Sequence, residues 1–110
     1  MPRLKLIDLK CNRTEDLVGA DEPYFGVNGS FVWGPGSLNN GQSQNLLSVA
    51  PLFFFGTANV QLFDQDNPPS DPDDPLGVIS VSSALNGAGP QDGFFTGDGA
   101  NYALTYEVIP

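Results

Sequence analysis

Apolar and polar residues alternate with a period of two in several short stretches, and each stretch is bounded by Gly, Pro, Asn or Asp. Residues 3–11 alternate weakly and predict a first strand, followed by a polar loop over 12–21. Residues 23–33 predict a β-hairpin turning at Asn28-Gly29, because both central positions of the tightest hairpin turn need positive φ. Residues 34–44 read as a turn-rich connection, and 45–55 as one or two short strands broken at Pro51. Residues 58–64 form a clear strand that delivers Asp64 to its end, and 76–83 form the next. Residues 84–93 read as loop, Phe94–Gly97 as a further short strand and Gly97–Ala100 as a turn. The last strand spans 101–109, with Tyr102, Leu104, Tyr106 and Val108 on one face. No stretch reads as a helix, so the expectation is an all-β, antiparallel eight-stranded β-sandwich.

Composition supports this and bounds the rest. A chain of 110 residues is expected to form one domain, residues 1–110, and its 13 glycines and 10 prolines suit strands joined by many turns. A stability of roughly 5–10 kcal/mol is expected at this size. The single cysteine, Cys11, excludes an internal disulfide framework and reads as a small buried core residue. Residues Phe53, Phe54 and Phe55 cannot all point inward, since neighbours on a strand alternate. An outward aromatic there would either mark a protein or subunit interface or lie under a covering loop. Tyr24, Phe25 and Trp33 read either as core or as an aromatic platform for a carbohydrate or a partner.

Charge changes the picture most. The net charge is −9, and all four basic residues (Arg3, Lys5, Lys10, Arg13) lie in the first thirteen positions. From Thr14 to Pro110 there is no Lys or Arg, and the chain has no His. Nucleic-acid binding is excluded, because phosphates need basic partners. Simple adsorption to anionic lipid is disfavoured for the same reason. Meanwhile Asp64, Asp66, Asp71, Asp73 and Asp74 crowd into eleven residues. Such carboxylates either splay into water or hold a cation. Their oxygen-only donors select a hard cation, and Ca²⁺ tolerates many carboxylates in irregular geometry better than Mg²⁺ does. Asp64 and Asp66, two apart at a strand end, project to one side and can clamp one ion. The spacing is not that of an EF-hand: counting from Asp64, the sixth position is Pro69 and the twelfth Pro75.

Two segments together resemble the C2 domain. In residues 4–27 an apolar strand and an acidic loop lead into Gly19-Ala20-Asp21-Glu22-Pro23-Tyr24-Phe25-Gly26-Val27. This is similar to the family's "Gly-x-x-Asp-Pro-Tyr-x-x-Val" signature, with Glu22 between Asp21 and Pro23-Tyr24. Residues 60–81 resemble its strand–loop–strand unit. Asp64 and Asp66 match the paired aspartates, and Asp74, three before Gly77, matches the distal one, with Asp71 and Asp73 extra in a longer loop. The start at the loop-bearing strand and the finish in a strand at 101–109 resemble the permuted arrangement, in which the last strand pairs beside the first. The resemblance implies that Asp21, Asp64, Asp66 and Asp74 are calcium ligands, with Glu15 or Asp16 supplying the first loop. Asp71 or Asp73 could take the distal place instead. It also implies that these loops gather at one end of the sandwich around two or three Ca²⁺.

Catalysis is not expected. Without His the common Ser and Cys triads and zinc hydrolase sites are absent. The reading is a non-catalytic calcium-binding module whose partners are calcium ions and then phospholipid headgroups or another protein. The family's membrane binders usually carry a basic groove, which residues 14–110 cannot supply. The alternative is a secreted or cell-surface β-domain that Ca²⁺ stabilises for assembly with itself or a larger protein. Neither a signal peptide nor a transmembrane segment is legible, so a soluble chain is expected.

Overall fold

The computed structural model describes residues 1–15, 19–65 and 73–110. Among these, nine strands run in chain order: β1 (Arg3–Arg13), β2 (Pro23–Val27), β3 (Ser30–Trp33), β4 (Ser43–Asn45), β5 (Leu52–Phe53), β6 (Thr57–Asp64), β7 (Asp74–Ser82), β8 (Gln91–Phe95) and β9 (Asn101–Ile109). They form two antiparallel sheets. One has the order β4-β1-β9-β8, with β5 also pairing β1; the other has the order β3-β2-β6-β7. The only helical elements among the described residues are two 3-10 turns, Ser83–Leu85 and Gly97–Gly99. No described helix is long and apolar enough to cross a membrane.

The first and last strands pair along most of their length, from Arg3↔Ile109 to Arg13↔Asn101. The alternation of β9 is uninterrupted, and Tyr102, Leu104, Tyr106 and Val108 are all buried. β1 alternates only weakly because its register shifts between Leu6 and Asp8. That irregularity reverses the phase, so Leu4 and Leu6 point inward before it, and Leu9 and Cys11 after it. β6 buries Ala58, Val60 and Leu62 in strict alternation, and Asp64 continues the same inward face. Alternation therefore drives a carboxylate into the end of the core.

The turn at Asn28-Gly29 forms as expected, with φ of 51° and 84° at its two residues. Its asparagine side chain also accepts from Asn59 N at 2.8 Å, which ties the turn to β6. One expected loop is a strand. Gln91–Gly93 pair with β9 although Gly93 is a poor strand former. The glycine is needed because β7 of the other sheet approaches closely there. A Cβ at Gly93 would lie 2.8 Å from the Ile79 Cδ1. With β4 at the end of the expected 34–44 connection, the count among the described residues is nine strands rather than eight.

The aromatic residues sort by alternation. Phe54 is buried, while Phe53 and Phe55 are exposed. Phe25 is core, not platform, and Trp33 packs on it at 5.6 Å between ring centroids. Tyr24 lies half-buried on the outer face, stacked on Phe63 at 5.3 Å. Cys11 is a buried free thiol.

Candidate metal centre

Three connections, β1–β2, β6–β7 and β8–β9, bring carboxylates to one pole. β1 ends there and leads to Glu15. Asp21 follows, its backbone N–H and C=O both bonded to Leu38 at 2.9 and 3.0 Å. Asp64 closes β6, and Asp74 opens β7 opposite it. The β8–β9 turn reaches the same pole because Asn101 pairs with Arg13.

Two sets of carboxylate oxygens converge. Glu15, Asp21 and Asp64 place one oxygen each within 4.8 Å of one another, and so do Glu15, Asp74 and Asp98. Glu15 belongs to both sets. Asp21 and Asp64 are buried to 0% and 1% exposure. At about 4.8 Å each ionised pair repels by roughly 3–4 kcal/mol if the effective dielectric constant is ~20. All four basic residues lie on β1, and Arg13 ends that strand at this pole. Oxygen-only donors from separate segments, two of them buried, fit a hard divalent cation.

Backbone groups hold these carboxylates in place. Asp21 Oδ2 accepts from Glu15 N at 2.7 Å, which closes the loop between them. It also accepts from the Tyr102 hydroxyl at 2.6 Å. Asp64 Oδ1 accepts from Glu22 N at 2.8 Å, and Glu22 O accepts from Gln65 N at 3.0 Å. Glu22 lies between Asp21 and Pro23. Its N–H is one that the following Pro23 could not supply. Thr14 N, just before Glu15, donates to Asn40 Oδ1 at 2.8 Å, so the 34–42 connection braces the loop from outside.

Tyr102 and Cys11 are register partners on β9 and β1, and both are buried. Burial, and then the bond to Asp21, push the Tyr102 hydroxyl far above its ordinary value, so it stays a donor. Burial also pushes the Cys11 thiol up.

Tyr24 donates its hydroxyl to Asp73. Burial, then this bond and the Asp73 charge, push the Tyr24 phenol from 10 up to about 12. The folded protein thus holds this proton more tightly than the unfolded chain does. The resulting stability is complete below pH 10 and is lost as pH rises towards about 12. Across that interval the native protein should lose more stability than a Tyr24→Phe variant in thermal melts. Parallel losses would show that the contact contributes nothing.

Of the residues expected from sequence, Glu15, Asp21, Asp64 and Asp74 lie in the two converging sets, and Asp73 lies beside Tyr24. Asp16, Asp66 and Asp71 fall outside the described residues. Asp98 was not expected. Its signal is an acidic residue between two glycines immediately before the last strand, which becomes informative only once that strand is known to pair with β1.

No family model matches the sequence, and no curated protein matches it. Solved structures do. The C2 domains A and B of Extended-Synaptotagmin 2 align over 98% of this chain and 39% of theirs, with 17% identity and a TM-score of 0.56. Human GIVD cytosolic phospholipase A2, in complex with methyl γ-linolenyl fluorophosphonate, aligns over 98% of this chain and 16% of its own, with 11% identity and a TM-score of 0.56. The structure of a C2 domain aligns over 97% and 95%, with 13% identity and a TM-score of 0.49. The chain thus spans well under two thirds of the first two proteins. With its two four- and five-stranded sheets and its first and last strands side by side, this chain has the C2-like β-sandwich fold.

Proposed function

We propose that the acidic pole binds calcium and that the chain is a non-catalytic module whose binding to other molecules depends on that calcium. The observation that carries this reading is the convergence of Glu15, Asp21 and Asp64 within 4.8 Å, two of them buried, in a chain with no base beyond Arg13. Asp74 and Asp98 would extend the ligand set through the shared Glu15. Asp16, Asp66, Asp71 and Asp73 are further oxygen donors in the same two loops. A bound cation supplies positive charge that offsets the repulsion, and coordination places that outside carbonyls, water or a ligand can fill. The ligand would then contribute phosphate, carboxylate or hydroxyl oxygens. All four basic residues lie on β1, so away from that strand the metal is the attractor for an anionic lipid headgroup.

Thermal melts with calcium or with chelator test the reading. Calcium at about 100 times its dissociation constant adds roughly 2.7 kcal/mol per site. For a domain of this size that is a rise of about 10–20 °C in melting temperature. Sedimentation with anionic vesicles then separates the partners. Calcium-dependent co-sedimentation supports a lipid ligand. A thermal rise without co-sedimentation, accompanied by a larger species in light scattering, supports assembly instead. Identical melts in calcium and chelator would remove the calcium reading.

A further inference from the structure

Resting on the calcium reading, we infer that Tyr102 is a positioning residue for the metal ligand Asp21, built into the rigid sheet rather than into the loops. Tyr102 is fully buried on β9, between β1 and β8. Its neighbours on the inward face of β9 include Leu104 and Val108, which need no polar partner. A buried phenol does need one, and its hydroxyl finds it in Asp21 Oδ2, 81 residues away in sequence. The same oxygen accepts from Glu15 N, and the Asp21 backbone is held on both sides by Leu38. The carboxylate is thereby restrained from three directions. Rotation about its Cβ–Cγ bond would break both bonds to Oδ2, so the direction in which it faces Glu15 and Asp64 is set before any cation arrives.

Tyr102 is thus an outer partner of the site: its hydroxyl holds Asp21 rather than the cation. Outer partners of this kind fix the orientation of metal ligands, and their loss typically weakens metal binding about 10–100-fold.

The test compares calcium binding by calorimetry in the native protein, Tyr102→Phe and Tyr106→Phe. Tyr106 is buried on the same strand face but lies roughly 13 Å further along β9, away from the acidic pole, so its variant controls for loss of a buried hydroxyl. The expected result is a dissociation constant about 10–100-fold larger for Tyr102→Phe, with Tyr106→Phe close to native. A Tyr102→Phe constant within about threefold of native would overturn the inference and leave the calcium reading standing, since a lost outer partner should cost at least about tenfold. A native protein that binds no calcium would overturn both. If Tyr102→Phe does not fold, the native protein decides the matter. The Tyr102 ring-carbon resonance bearing the hydroxyl should shift in step with calcium saturation, and an unmoved resonance at saturation overturns the inference.

Discussion

Replacing Asp64 with asparagine is expected to abolish most of the calcium-induced rise in melting temperature while leaving the calcium-free protein at least as stable as the native one. The two halves of this result have one cause. Asparagine keeps the shape of the side chain and an oxygen that can accept from Glu22 N, so the bond that holds the end of β6 survives. It removes one of three negative charges whose oxygens lie within 4.8 Å, and therefore relieves repulsion when no cation is present. In calcium the same change removes a buried charged ligand. The native protein gains roughly 2.7 kcal/mol per site near saturation, and the variant should gain less than half of that. Adding Asp66→Asn, at the second paired position, should remove the remainder. Differential scanning calorimetry in calcium and in chelator reads both effects. A double variant that keeps the full native shift would mean that these aspartates are not the site.

The second large effect is in the core. Leu104 sits at the centre of β9, fully buried, opposite Leu9 on β1 and Gly93 on β8. Leu104→Ala leaves a cavity that neither neighbour can fill, and such truncations cost about 2–5 kcal/mol. Against a total of roughly 5–10 kcal/mol, that is a large share of the stability of the domain. A fall of about 10–30 °C in melting temperature is expected, in chelator and in calcium alike. Phe55→Ala, at an exposed tip, should change stability by no more than about 0.5 kcal/mol. If the two variants melted together, Leu104 would not occupy the core position assigned to it.

These two positions differ in how openly the sequence declares them. Leu104 belongs to an unbroken alternation, and its inward face follows from strand geometry without knowledge of any partner. Asp64 is visible as an acidic residue ending a strand, and its burial follows by extending the alternation of Ala58, Val60 and Leu62 one step further. The irregular strands are harder to read. β1 reverses phase near Ile7, and the apolar pattern there is ambiguous because the extra residue is absorbed by pairing with β9. β8 carries a glycine that argues against a strand, and only the nearby Ile79 explains it.

The chain alone settles the matters that depend on near neighbours: the turn at Asn28-Gly29, the inward faces of β6 and β9, and a run of acids with no base to meet it. Folding settles which distant residues share a pole. Asp98 joins Glu15 and Asp74 because Asn101 pairs with Arg13, and Tyr102 reaches Asp21 because β9 lies against β1. Alternation carries information over two residues, whereas strand register is chosen by the packing of two whole sheets. No local pattern can therefore state which carboxylates will meet.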